Sequence, residues 1–313
     1  SAILDIKSAN KGILIPRINL VSDSDIVTIS SPRLSLLVYN INNGIDDGEG
    51  FYFWNGSKWS KLATKLNLSN LAWGISGNTG TNATTDFIGT IDNKPLVFKT
   101  NNILSGKIDA GANNLFFGRS SGVAVTTGIN NSFLGNQAAV SNTTGNANTA
   151  VGSKSLYSSI SANDNVAIGF SAMYTTSTGS FNTAIGTNSL YSNTSGHDNT
   201  AVGFETLNKN STGSYNTASG YLALQGNTTG SYNTAYGRNA LKLNTTGENN
   251  TGLGANALIS NVTGGQNVAV GDNSQYMNTG GSFNTSIGMN ALYGGDQGNN
   301  NVAAGYHALH WNR

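Results

Sequence analysis

Acidic side chains are the groups of this chain that could hydrolyse a glycosidic bond, and the second half of the sequence has few of them. Residues 113–313 contain six carboxylates: Asp164, Asp198, Glu205, Glu248, Asp272 and Asp296. A glycosidase needs two carboxyl groups about 5 to 9 Å apart. Only Asp198 and Glu205 lie close in sequence, and they fall at different corners of the coil predicted below. The sequence therefore predicts no catalytic carboxylate pair.

Histidine and cysteine give no better candidates for catalysis or metal binding. The three histidines are His197, His307 and His310, and none has a nucleophile motif or a metal-ligand spacing around it. The chain has no cysteine, which excludes disulfides and thiolate metal sites. We therefore predict a protein that is not an enzyme and that holds no cofactor.

A short acidic loop is the one segment that could bind Ca²⁺ through carboxylate oxygens. Asp46, Asp47 and Glu49 lie beside two glycines in this loop. Their spacing is not that of an EF-hand, and a solvated hairpin loop explains the same residues. No metal site is predicted here.

The charge of the chain excludes two large classes of partner. Lysine and arginine number 16 against 15 acidic residues, and only 10% of residues are charged, against about 25% in a typical soluble domain. No run of basic residues could follow a nucleic acid or bind an anionic membrane surface. No apolar segment reaches the roughly 18 residues of a membrane span, so membrane insertion is not predicted.

A 17-residue repeat dominates the sequence from residue 114 onward. Asparagine recurs twelve times at this interval, without an insertion, at residues 114, 131, 148, 165, 182, 199, 216, 233, 250, 267, 284 and 301. With asparagine as position 1 of the unit, glycine occupies position 5 in every copy. A second glycine column occupies position 15 and is broken only by Ala162. Such strict periodicity indicates a repeat architecture in which identical units stack.

The unit predicts two short strands and two turns. Seventeen residues are too few for a helical hairpin, and two glycines in each unit disfavour helices. Residues 183–185 and 189–191 are β-prone, and residues 193–196 have the composition of a turn. The predicted fold is all-β: a parallel β-solenoid, or β-roll, of about twelve 17-residue coils. At a strand spacing of ~4.8 Å, twelve coils would stack to roughly 55 Å.

Stacked columns predict how the coils hold together. The aliphatic residues at position 4 and the Leu or Met at position 9 are expected to form the interior. The asparagines can form an amide ladder in which each side chain bonds its neighbours above and below. The predicted structural ladder contains Asn182, Asn199, Asn216 and Asn233, with the corner glycines Gly186, Gly203, Gly220 and Gly237.

Small residues at position 3 suggest self-association. On a strand, this position points away from the aliphatic neighbour at position 4. An outer face of alanines would allow another chain to approach closely, whereas the simpler alternative is alanine that faces solvent. The predicted interface residues are Ala184, Ala201, Ala218 and Ala235. We accordingly predict a homo-oligomer, with a trimer preferred over a higher ring or an end-to-end assembly.

The repeats resemble a known family of surface proteins. Units such as residues 199–207 (NTAVGFETL) are similar to the head repeats of trimeric autotransporter adhesins, and the likeness extends over residues 114–309. The resemblance implies a left-handed parallel β-roll with three chains side by side.

The N-terminal part resembles a module of large Bacteroidetes surface and fibre proteins and of related phage tail fibres. Five segments carry this likeness: residues 2–7, 12–17, 36–39, 51–59 and 86–102. In such proteins the module precedes long repeat stalks. The resemblance implies a fibre or adhesin role rather than a reaction.

Three regions follow from these patterns. Residues 1–65 form a small β-rich module in which Asn55 and Gly56 predict a tight turn. Residues 66–112 are expected to be an extended connector with a strand at 96–99. Residues 113–313 form the solenoid.

Three functions compete at this stage. The first is a structural and adhesive protomer of an extracellular or cell-surface fibre, hook or appendage. The second is a receptor-binding protein similar to a tail fibre or tailspike, which binds cell-surface glycans or, less plausibly, cleaves them. Its support is the aromatic residues at positions 10 and 17, which could stack on sugar rings or on one another. The third, an ice-binding solenoid, needs a Thr-x-Thr array that the threonine columns do not form.

Overall fold

The structure, a computed structural model, describes residues 12–45, 48–62, 81–82, 84, 87–294 and 298–311. The chain divides into two compact units, Ser1–Ile88 and Gly89–Arg313. Within the described residues all regular structure is β-strand. The predicted parallel solenoid with a small β module before it is confirmed. Residues 2–7, the first segment of the N-terminal resemblance, lie outside the described residues.

The first unit contains a four-stranded sheet. Its strands, in spatial order, are β1 (Arg17–Ile18), β2 (Leu37–Asn40), β3 (Gly50–Trp54) and β4 (Trp59–Lys61). The first pair is parallel, and the other two pairs are antiparallel.

Alternation along β3 creates the core of this unit. Tyr52 and Trp54 point inward, whereas Phe51, on the opposite face of the strand, is exposed, as the two-residue period of a strand requires. Trp59 pairs across the β3–β4 hairpin with Trp54, and their rings make an edge contact at 5.4 Å. The hairpin loop covers residues 55–58, where the Asn55 side chain accepts hydrogen bonds from the next amides, as in an Asx turn.

The second unit begins with an antiparallel hairpin. Strands β5 (Leu96–Thr100) and β6 (Ile103–Asp109) pair with each other, and β6 pairs with β7 (Asn114–Phe117), the strand of the first repeat. Part of the predicted connector is therefore a two-stranded start to the solenoid sheet. Residues 66–80, 83 and 85–86 of the connector lie outside the described residues.

Eleven three-residue strands continue the sheet, one for each further repeat. They are β8 (Ser132–Leu134), β9 (Thr149–Val151), β10 (Val166–Ile168), β11 (Thr183–Ile185), β12 (Thr200–Val202), β13 (Thr217–Ser219), β14 (Thr234–Tyr236), β15 (Thr251–Leu253), β16 (Val268–Val270), β17 (Thr285–Ile287) and β18 (Val302–Ala304). From β7 onward every pair is parallel, and each residue lies opposite its equivalent 17 positions away.

Each described coil has one strand, so the prediction of a second strand at residues 189–191 is wrong. Asn188 and Leu190 have φ angles of 54° and 49°, in the left-handed region, whereas a strand needs φ near −120°. The segment still bonds to the next coil: the Leu190 N–H donates to the Thr206 carbonyl at 3.0 Å. Hydrogen bonds between stacked turns thus join the coils here, although the β-propensity of these residues favours a strand.

The columns at positions 3 and 4 have the orientation opposite to the one expected. Ala184, Ala201, Ala218 and Ala235 are fully buried inside their own coil. The aliphatic residues beside them point outward; Ile185, for example, is 38% exposed. The reason is space, because the Leu or Met at position 9 fills the interior of these coils and leaves room for a methyl group at position 3. In the first two coils, where position 9 is Gly122 or Ala139, Phe116 and Phe133 fill that space instead. These alanines therefore cannot form the interchain surface that was predicted for them.

The interior of the solenoid is narrow and only partly apolar. Most coils contribute a position 9 side chain such as Leu190, a position 3 alanine, and a small residue at position 8 such as Ser189. The expected Leu or Met column is buried from Leu156 to Leu258. The remaining interior positions are asparagines, so the hydrogen bonds of those side chains decide whether the coils can stack.

Candidate functional site

The position 1 asparagines form a continuous amide ladder through the solenoid. In Asn199 the side-chain nitrogen donates to the Asn182 Oδ1 at 3.1 Å, and the backbone N–H donates to the same oxygen at 3.0 Å. Asn216 and Asn233 repeat this geometry on the rungs that follow. In these rungs each side-chain oxygen thus accepts two hydrogen bonds from the next coil.

The same amides also bond across their own coil. The Asn199 Nδ2 donates to the Gly213 carbonyl at 2.9 Å, and Asn216 does so to Gly230 at 2.9 Å. The position 15 glycine is therefore fixed against the position 1 asparagine. Every donor and acceptor of these buried side chains is used, which is the condition under which a polar interior stabilises a fold.

A second ladder, which the sequence reasoning missed, lies at position 12. The Asn210 Nδ2 donates to the Asn193 Oδ1 at 3.0 Å, and Asn227 donates to Asn210 at 2.7 Å. Each also bonds the glycine three residues later, as Asn193 does with Gly196 at 2.9 Å. The asparagine in the repeat consensus was the available signal, but its position in a predicted turn suggested an exposed residue.

The second ladder is interrupted in two neighbouring coils. Position 12 is Ser159 in one and Thr176 in the next, and both hydroxyl oxygens are buried without a hydrogen-bond partner among the described residues. The same coil as Ser159 carries Ala162, the one alanine in the position 15 column. Where asparagine is present, a Cβ at position 15 would lie 2.4 Å from its Oδ1, as at Gly196. Alanine at position 15 therefore accompanies the loss of asparagine at position 12.

Asparagine introduced at the two interrupted rungs should change the stability of the solenoid according to the residue at position 15 of the same coil. Thr176→Asn is expected to add about 1 kcal/mol of unfolding free energy, because its amide can bond Asn193 and because Gly179 leaves the space. Ser159→Asn alone should destabilise, since its Oδ1 collides with Ala162, and adding Ala162→Gly should reverse the loss. Urea unfolding followed by circular dichroism measures all three variants. Equal stability of Ser159→Asn with and without Ala162→Gly would contradict this account.

The corner glycines at position 5 are required by two independent constraints. Gly186, Gly203, Gly220 and Gly237 have φ angles between 126° and 136°, which only glycine adopts at little cost. A Cβ on any of them would also lie 2.4 to 2.7 Å from the carbonyl oxygen of the next corner. The corners therefore stack backbone against backbone.

Two outward columns of the strands form an exposed face, called here the strand face. It consists of the residues at positions 2 and 4 of the twelve repeats. Position 2 is mostly threonine, and position 4 is mostly aliphatic or aromatic from Phe117 to Ile287. Neither column contains a charged residue. A face of this composition is unusual for a surface that remains in water.

Aromatic side chains stack along the solenoid rather than standing apart. Tyr157, Tyr174 and Tyr191 form one stack, with centroid spacings of 4.8 and 5.0 Å. A second stack joins Tyr276, Tyr293 and His310 at 5.0 Å, and Tyr215 stacks on Tyr232 at 4.9 Å. A ring stacked on both sides presents only its edge to solvent, so Tyr174 and Tyr293, the middle rings of the two longer stacks, lack a free face for a sugar.

Among the described residues, His197, Glu205 and His307 lie in separate contacts. His197 and Asp198 form a half-exposed contact at 2.8 Å, and Glu205 accepts a hydrogen bond from Gln225 at 2.7 Å. His307 stacks on His310. Among the described residues no three acidic, histidine or cysteine side chains are placed to hold a metal ion. Asp46, Asp47 and Asp296 lie outside the described residues.

One buried carboxylate organises the first unit. Asp25 accepts hydrogen bonds from the Thr28 hydroxyl at 2.6 Å and from the N–H groups of Thr28, Val21 and Val27 at 2.9 Å. Burial raises the pKa of this carboxyl, but the four hydrogen bonds outweigh it and lower the pKa from 3.8 to about 2. The Trp59 indole donates to the Asp25 carbonyl, so the loop and the aromatic core are linked.

Asp25 should make the first unit sensitive to acid. Because its pKa is lower in the folded chain, its stabilisation is complete above about pH 4 and is lost as the pH falls from about 4 to about 2. Asp25→Asn is expected to lower stability at pH 7 and to remove this part of the acid transition. Tryptophan fluorescence during pH titration reports the core. An unchanged acid transition in the variant would assign the effect to other carboxylates.

One known family is similar to the N-terminal part of the chain. Residues 1–86 match the family model described as a phage tail like trimerisation region. The match covers the expected fibre-type N-terminal module. A trimerisation region followed by a β-solenoid makes this chain a fibre-like structural protein that assembles as a homo-oligomer. No curated protein and no solved structure gave a significant match.

The described part of the chain contains no helix that could cross a membrane.

Proposed function

We propose that this protein is the protomer of a homotrimeric attachment fibre, a stiff rod in an extracellular or surface-exposed appendage. The observation that carries the proposal is the trimerisation region at one end of an uninterrupted array of coils. The role is mechanical and not catalytic. The fibre would hold an attachment surface at a distance from its base.

The hydrogen-bond network supports stiffness. The position 1 ladder runs from Asn114 to Asn301 without a missing rung. Bending the rod would have to stretch both the amide ladder and the backbone hydrogen bonds at every corner. Because each coil contacts only its neighbours, the regular stack spreads such a load along the array.

The native mass of the full chain tests the assembly. Light scattering on a sizing column should give the mass of three chains of 32.4 kDa each. Electron microscopy of the same sample should show a rod. A mass of 32.4 kDa would overturn the proposal and would favour a single-chain binding module. A trimer without a rod-like shape would refute the mechanical role alone.

Adhesion to glycans is the second candidate, supported by the aromatic stacks. Tyr191 ends its stack, since Asn208 occupies the equivalent position on the next coil. It therefore has a ring face that the middle residue, Tyr174, lacks. Binding of the labelled chain to a glycan array should fall several-fold in Tyr191→Ala and much less in Tyr174→Ala. Absence of binding by the wild-type chain would eliminate this candidate.

A further inference from the structure

The strand face is a long, uncharged and partly apolar surface. Its position 4 column includes Phe117, Ile185, Val202, Tyr236 and Ile287, which are 36% to 51% exposed. Twelve rungs at ~4.8 Å give a strip roughly 55 Å long and about 10 Å wide. This area is comparable to the largest apolar patch of a typical monomer, which often marks an interaction site.

Charge is excluded from this face although the solenoid carries charges elsewhere. The acidic residues of the repeats occupy other columns: Asp164 and Asp198 are at position 17, Glu205 is at position 7, and Asp272 is at position 6. Lys154, Lys209 and Lys242 also lie outside the strand columns. Depletion of charge at the centre is the compositional mark of a protein interface.

A second copy of this chain is the partner that the composition and the N-terminal match together indicate. A trimerisation region holds three copies of the following solenoid on one assembly, and so at high effective concentration. Each copy then carries the same apolar strip. In a symmetric assembly, equivalent columns of neighbouring copies can meet along their length.

We infer that the strand face is the surface through which neighbouring solenoids pack in the oligomer. This inference rests on the proposed trimeric fibre and names the face that the fibre uses. It replaces the buried alanine column with the aliphatic column one residue later. The turn at positions 13 and 14, which includes the exposed Ser195, remains on the outside of the assembly.

Single-cysteine cross-linking tests the inference cleanly, because the natural sequence has no cysteine. Val202→Cys and Ile185→Cys place a thiol on the strand face, and Ser195→Cys is the matched control in the same part of the array. Each full-length variant is treated with a bismaleimide of short spacer and separated on a denaturing gel. We expect up to two thirds of the Val202→Cys and Ile185→Cys chains to run as covalent dimers, because one thiol per chain links chains only in pairs, and the Ser195→Cys chain to remain monomeric on the gel.

The outcomes distinguish a wrong interface from a wrong oligomeric state. If the wild-type oligomer is intact but neither strand-face cysteine cross-links, the face is wrong and the fibre proposal stands. Cross-linking through Ser195→Cys alone would assign the interface to the turn. If light scattering finds a monomer, the fibre proposal fails, and the inference fails with it. Native mass is measured for each variant before cross-linking.

Discussion

Gly220→Ala is expected to destabilise the solenoid by roughly 3–5 kcal/mol, through backbone strain and a collision between coils. Gly220 has φ of 136°, and a Cβ there would lie 2.6 Å from the Gly237 carbonyl oxygen. A backbone atom cannot move aside as a flexible side chain can. Relief requires separation of two coils, which would weaken the array at its centre. Urea unfolding monitored by circular dichroism gives the change in unfolding free energy.

Two other glycines make matched controls for this effect. Gly305 has φ of 118° but no atom within 4 Å of a Cβ, so Gly305→Ala measures the conformational strain alone. Gly252 lies in the alanine column, where a Cβ would make contacts at 3.4 to 3.5 Å. Gly252→Ala should leave stability unchanged or raise it by up to about 1 kcal/mol. If all three variants were equally stable, close stacking of the corners would not explain why glycine occupies position 5 of every repeat.

Asn216→Ala is the second large effect, with an expected loss of about 3–5 kcal/mol. The side chain of Asn216 accepts from the Asn233 N–H and Nδ2 and donates to Asn199 and to Gly230. Its removal leaves the buried Asn233 N–H without this partner, which costs about 1–3 kcal/mol. The Gly230 carbonyl keeps the hydrogen bond from the Asn227 Nδ2 at 2.8 Å, and each of the other hydrogen bonds lost contributes about 1 kcal/mol. The free energy of unfolding is again the quantity to measure, and amide hydrogen exchange at Asn233 locates the defect.

Thr217→Ala is the control for the asparagine ladder. Thr217 is the next residue along the chain, but its side chain belongs to the strand face. In the isolated solenoid it contributes little, and a change within about 0.5 kcal/mol is expected. If Asn216→Ala were no more destabilising than Thr217→Ala, the ladder would be a consequence of stacking and not one of its causes.

Much of the architecture followed from periodicity alone. An unbroken interval of 17 residues, with glycine at a fixed place, permits few structures other than stacked coils. In the stack, Asn182 and Asn199 lie opposite each other because parallel register places identical residues together. An amide can donate and accept at once, so a column of asparagines joins itself without another residue type. The fibre-type N-terminal module was also recognisable from its segments before the fold was known.

Only the tertiary structure decided which columns face inward. A three-residue strand such as Thr183–Ile185 has two possible orientations, and hydrophobicity favours the wrong one by placing isoleucine inside. The interior is too narrow for that arrangement, because Leu190 and two asparagine columns already occupy it. Alanine fits the remaining space and isoleucine does not. The left-handed φ angles of Asn188 and Leu190 were hidden for a related reason: propensity describes an isolated residue, whereas these conformations are stabilised by bonds to neighbouring coils.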